Sequence, residues 1–181
     1  SYFNFERQTA KLSNTIVRKA EKVKTENEDM QLSQSKMILG FRTDCAEPDD
    51  SVMATRLMCA VLGGTAHSKL FCNVREKLSL CYYCSSRYNR KKGILTIESG
   101  VEKENIEKAK TAILAEIESM KNGEITDFEL ESAKLSVVNS FREICDTAGG
   151  LEMWYISQFF DKEIYSSDEA CELINKVTKE E

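Results

Sequence analysis

Apolar residues recur at helical spacing through most of this chain and gather into strand-like runs in three places. Residues 5 to 24 set Leu12, Ile16, Val17, Ala20 and Val23 one helical turn apart, with charges between them. That pattern predicts a polar amphipathic helix that lies on a partner surface or a neighbouring domain. Residues 30 to 42 read as a strand around Met37-Ile38-Leu39-Gly40-Phe41. The Pro48-Asp49-Asp50 cluster then marks a loop and a helix N-terminus, where carboxylates favour the dipole. The helix runs to Leu62 and stops at Gly63-Gly64, and a second, short helix covers Ser68 to Leu78. Residues 80 to 89 and 94 to 99 are predicted as antiparallel strands joined through Arg90-Lys91-Lys92-Gly93.

Four helices follow. Ile106, Ala109, Ile113, Ile117 and Met120 form one apolar face, ended by Asn122-Gly123. Thr126 with Glu129, and Ser166 with Glu169, have the spacing of capping boxes, in which each residue satisfies a backbone N–H of the other. Gly149-Gly150 is read as a break before LEMWYISQFF. This order predicts an α+β fold: a small, mainly antiparallel sheet packed on helices, with a helical C-terminal part. Residues 1–29 are expected to connect to a missing upstream domain. Residues 30–181 would form one domain, truncated at its end because no strand follows Val177 to complete the layer.

Composition narrows the function classes. A net charge of -5 across 181 residues does not supply the concentrated Lys and Arg that phosphate binding needs, so no nucleic-acid partner is expected. No apolar run reaches the ~18 residues that span a bilayer, so no membrane partner is expected either. The basic cluster Arg87, Arg90, Lys91 and Lys92 is read as a solvated hairpin tip. Seven cysteines without a framework spacing point to a reducing cytoplasm.

The candidate chemistry is sparse. Cys81 and Cys84 make a CxxC, but residues three apart in a regular strand point to opposite faces, so redox or metal use is only an outside alternative. His67 is the single histidine, too few for a zinc motif, and its setting reads as a helix start. Residues 62 to 83, LGGTAHSKLFCNVREKLSLCYY, are more informative. There Arg75 and Tyr82 lie seven apart across a helix-to-strand junction, a spacing that can bring both to one surface. A guanidinium so placed could grip a peptide carbonyl, and a phenol could donate to a developing oxyanion. The plainer account pairs Arg75 with Glu76 and packs Tyr82 in the sheet.

This segment resembles the non-zinc domains of the pitrilysin/insulinase metallopeptidases, which include the mitochondrial processing peptidases. Their pattern is close to LGGxxxSRLFxxxREexGLxY. Leu62, Gly63, Gly64, Ser68, Leu70, Phe71, Arg75, Glu76, Leu80 and Tyr82 match it, while Lys69 stands for the usual Arg and Ser79 for the usual Gly. The phrasing is similar to bacterial cytoplasmic members that often lack the zinc motif. The resemblance implies a metallopeptidase-type α/β roll, in which homologous halves face each other across a chamber. It also implies that Arg75 and Tyr82, with Ser68, contact peptide substrate, while zinc belongs to a partner half and not to this chain. The expected partners are a homologous zinc-bearing domain or subunit and a peptide, with homo-oligomerisation as a further option. A non-catalytic scaffold subunit that kept the peptidase fold is the alternative.

Overall fold

The computed structural model describes residues 15–31, 33–159, 161 and 163–181. Three strands, β1 (Ser35–Arg42), β2 (Cys81–Asn89) and β3 (Ile94–Val101), form an antiparallel sheet in the order β1-β3-β2. Between β1 and the β2–β3 hairpin come α1 (Val52–Gly63) and a π-helix (Leu70–Lys77). Helices α2 (Ile106–Lys121), α3 (Asp127–Glu143), α4 (Ala148–Gln158) and α5 (Ser167–Lys176) complete the chain. The α+β class and the element order agree with the sequence pattern.

Strand pleating decides which side of the sheet is covered. Leu95, Ile97, Ser99 and Val101 of β3 are all buried, and they face the same side as Met37, Leu39 and Phe41 of β1. On the opposite side Ile38 and Tyr83 stay exposed, so the helices pack on one face. Helix α1 is apolar around most of its circumference because it serves two layers. Cys59 and Leu62 reach the sheet core with Leu70, Val74 and Ile113. Leu57, Ala60 and Val61 pack with Val137, Val138 and Phe141 of α3 and with Ala170 and Ile174 of α5. Both expected capping boxes close, Thr126 with Glu129 and Ser166 with Glu169.

Several expectations change. The helix expected over residues 5 to 24 is absent from residue 15 onward, where the chain is irregular and mostly exposed; residues 5–14 lie outside the described part. An isolated amphipathic turn lacks the packing that offsets its nucleation cost. What holds this segment is a bidentate contact from the Arg18 guanidinium to the Asp49 carboxylate, at 2.6 and 2.9 Å. The strand expected from residue 30 starts at Ser35. Gly149 and Gly150 do not break the chain but form the first turn of α4, capped by the Thr147 hydroxyl, which accepts from Gly150 N–H. The hairpin tip is not simply solvated: Arg90 and Lys91 both pair with Glu47 and with Asp161, tying the tip to the loop before α1 and to the segment after α4.

Candidate functional site: the junction of the π-helix and strand β2

Close packing starts the site. Gly63 ends α1 against β2, and any Cβ there would lie 2.7 Å from the Ser86 backbone nitrogen and 2.8 Å from Leu70 Cδ1. After it, Thr65 and Ser68 shape a turn: the Thr65 hydroxyl accepts from His67 N–H, and the Ser68 hydroxyl donates to the Thr65 carbonyl at 2.6 Å. The following helix is wound wide, with Leu78 N–H reaching five residues back to the Asn73 carbonyl. Wide turns of this kind are rare and gather at functional positions. Here the winding buries Leu70 and Val74 together and stacks the Arg75 guanidinium over the Phe71 ring, 4.6 Å from its centroid.

Strand β2 meets this helix through a β-bulge. Cys81 stands opposite Val101 and Tyr83 opposite Gly100, so Tyr82 is the extra residue without a cross-strand partner. The bulge turns the Tyr82 carbonyl toward the helix, where it accepts from Arg75 Nε at 2.8 Å. Arg75 also pairs with the Glu76 carboxylate at 3.0 Å. The Tyr82 hydroxyl donates to Glu102 at 3.0 Å, and that carboxylate raises the phenol's pKa. Arg75, Glu76, Ser79, Leu80, Cys81, Tyr82, Glu102 and Asn105 line an open cleft of about 370 Å³. Arg75 and Tyr82 are therefore brought together, as their spacing allowed, and the Glu76 pairing of the plainer account exists as well. Ser68 is apart from them: it is buried, turned to Thr65, and absent from the cleft lining.

Residues 6–137 match the family described as the peptidase M16 inactive domain. The chain belongs to that family. It is 34% identical over 154 residues to a Bacillus subtilis protein named as a probable inactive metalloprotease, covering 85% of this chain and 36% of that one. A conserved protein of Enterococcus faecalis superposes with a TM-score of 0.76 at 33% identity, over 82% of this chain and 35% of that one. The M16 inactive domain of a Pseudomonas fluorescens protein superposes with a TM-score of 0.68 at 23% identity, over 83% of this chain and 37% of that chain. This chain thus spans about a third of the length of these relatives. It is an inactive, non-catalytic M16 peptidase-like domain.

The residues of this M16 domain do not fit the zinc that the wider peptidase family implies. Its one histidine, His67, is exposed, and its ring meets Phe128 edge-on with centroids 5.3 Å apart. Among the described residues no group of three or more His, Cys, Asp or Glu could hold a metal ion. A second cleft of about 370 Å³ lies between the start of α1, the hairpin tip and helices α4 and α5, with Arg56 in its wall over the Phe141 ring. Sequence reasoning missed two parts of the main site, the bulge at Tyr82 and the Glu102 acceptor. Neither has a local signal, because both depend on how β2 registers against β3.

Proposed function

We propose that this domain is the substrate-side half of an M16 peptidase-like assembly, clamping an extended peptide opposite a homologous zinc-bearing domain or subunit. The observation that carries this reading is the cleft in which Arg75 and Tyr82 converge. Arg75 offers a guanidinium, half-buried and already oriented by Phe71 and the Tyr82 carbonyl, that can hold a peptide carbonyl or carboxylate. The Tyr82 hydroxyl would donate to a developing oxyanion by leaving Glu102. Among the described residues β2 is an outer strand of the sheet, and its backbone would offer strand addition, which gives affinity with little demand on peptide sequence. Zinc, on this reading, is held by the other half. Seven cysteines, none in a disulfide, support a reducing cytoplasmic setting. Among the described residues no helix is long and apolar enough to cross a membrane.

The test is reconstitution with a zinc-bearing M16 half and a fluorogenic peptide. Arg75→Ala and Tyr82→Phe should each lower cleavage by tenfold or more; equal rates in wild type and both variants overturn the reading. One observation favours a second reading, a scaffold subunit that keeps the fold without touching substrate. Both candidate groups already have partners within the domain, Glu76 for Arg75 and Glu102 for Tyr82. A stable complex whose activity ignores both substitutions would be its signature. Whether the domain also associates with copies of itself would be read from the same complex by light scattering.

A further inference from the structure

The bulge has a second effect, on the two cysteines that flank Tyr82-Tyr83. In a regular strand Cys81 and Cys84 would point to opposite faces, but the extra residue shifts the register. Cys81 lies opposite Val101 and Cys84 opposite Ser99, two positions apart on β3 and both completely buried. Partners two apart share a face, so both thiols point to the covered side of the sheet. Same-face neighbours on a strand are on the order of 6–7 Å apart between Cα atoms, and the bulge fits its extra residue into that span. A disulfide accepts roughly 4.4–6.8 Å.

The two thiols are placed unequally. Cys84 is 5% exposed within the sheet core, whereas Cys81 is half-buried and lines the cleft beside Arg75. A hydrogen bond with Cys84 is the largest influence on Cys81, and with help from Ser99 and the Arg75 charge it brings that thiol down to about 7 against the burial that opposes it. The same contact, with burial, pushes Cys84 up. All seven cysteines are free; of the other five, Cys45, Cys59 and Cys171 are buried, and Cys72 and Cys145 are exposed.

We propose that Cys81 and Cys84 are a dithiol exchange site that reacts with low-molecular-weight disulfides, Cys81 attacking and Cys84 resolving. The Cys81 thiolate attacks one sulfur of R–S–S–R; that bond breaks, and RS⁻ leaves with the electron pair and takes up a proton. Cys84 then gives its proton to solvent and attacks the Cys81 sulfur of the mixed disulfide, releasing the second R–S⁻, which is protonated in turn. The protein loses two electrons and two protons, and R–S–S–R becomes two R–SH. A low thiol pKa in an accessible position with a neighbouring thiol behind it is the arrangement such chemistry needs. The site stands whether or not Arg75 and Tyr82 bind peptide.

The experiment uses the purified, folded protein equilibrated in glutathione buffers of increasing oxidised fraction, then acid-quenched, alkylated and cut with trypsin. Residues 78–87 form one tryptic peptide that holds Cys81, Cys84 and no other cysteine. That peptide should convert to its internal disulfide while the peptides of exposed Cys72 and Cys145 carry free thiol or single glutathione adducts. In Cys84→Ser the Cys81 peptide should stop at the glutathione adduct, and in Cys81→Ser the buried Cys84 should stay unmodified. The alkylation rate of Cys81 should reach its midpoint near pH 7 in the wild type and at a higher pH in Cys84→Ala, which removes the hydrogen bond that Cys84 supplies. A peptide that remains dithiol, that collects two separate adducts, or that forms the bridge only in denaturant overturns the proposal.

Discussion

Gly63 and Ser86 bring α1 and β2 into contact with no room for a side chain: a Cβ on Gly63 would stand 2.7 Å from the Ser86 backbone nitrogen. The Ser86 hydroxyl, which donates to the Cys59 carbonyl at 2.7 Å, locks the same crossing. Because the neighbour is backbone, it cannot swing aside. Gly63→Ala should therefore cost about 2–3 kcal/mol from overpacking. For a chain of this size that is a fall in Tm of roughly 5–10 °C, readable by circular dichroism. Gly149→Ala is the control, since nothing lies within 4 Å of its added methyl group.

Ser79 carries a φ of 50° between the π-helix and β2. Left-handed backbone costs an L-residue roughly 1–2 kcal/mol, part of which glycine returns as unfolded-state entropy. The exposed Ser79 hydroxyl makes only a long bond, 3.3 Å, to the Glu76 carbonyl. Ser79→Gly is expected to stabilise the domain by about 0.5–1 kcal/mol, seen as a higher urea midpoint with an unchanged slope. A lower midpoint would mean that the hydroxyl bond outweighs the backbone strain.

The sequence was most readable where local rules decide the outcome. Capping boxes at Thr126 and Ser166, apolar spacing in α2 and α3, and the hairpin around Gly93 each depend on a few neighbouring residues. The segment from Leu62 to Tyr82 showed that Arg75 and Tyr82 could meet. What stayed hidden depends on partners distant in sequence. The bulge that puts Cys81 and Cys84 on one face follows from the register of β2 on β3, and period-two reasoning fails wherever an extra residue enters. Arg90 and Lys91 looked like a solvated tip because their acceptors, Glu47 and Asp161, are about 43 and 71 residues away along the chain from Arg90. Ser68 matched a motif, yet its hydroxyl serves the turn at Thr65.

That hairpin network gives a third expectation. The side chains of Asp161 and Glu47 are only 8% and 13% exposed, and both rely on Arg90 and Lys91 for compensation. Removing Arg90 takes one of these two cations from two poorly solvated carboxylates and leaves Lys91 to pair with both. Arg90→Ala should destabilise by about 2–3 kcal/mol, below the value for fully buried pairs because solvent reaches part of the cluster. Arg87→Ala, on the same hairpin but exposed, should stay within about 0.5 kcal/mol. Equal effects from the two substitutions would reduce the network to surface charge.

The last expectation concerns Lys69, whose ammonium lies 3.1 Å from Glu129 with both side chains largely buried. Burial raises the Glu129 pKa, but the Thr126 N–H and hydroxyl and the Lys69 ammonium together outweigh it, and the group ends below its ordinary value of 4.5. A carboxyl whose folded pKa is depressed adds stability that is fully present above the unfolded value. That stability is lost as pH falls through the lower, folded pKa. Lys69→Met keeps the buried stem and removes the charge, so Glu129 retains only its capping bonds. The variant should lose about 1–3 kcal/mol at pH 7. The gap from wild type should narrow as pH drops below 4.5, because protonated Glu129 no longer needs the ammonium. Urea titrations of both proteins at pH 7 and at pH 3.5 measure this directly. A gap that is constant across that range would assign the loss to packing of the Lys69 stem and not to the ion pair.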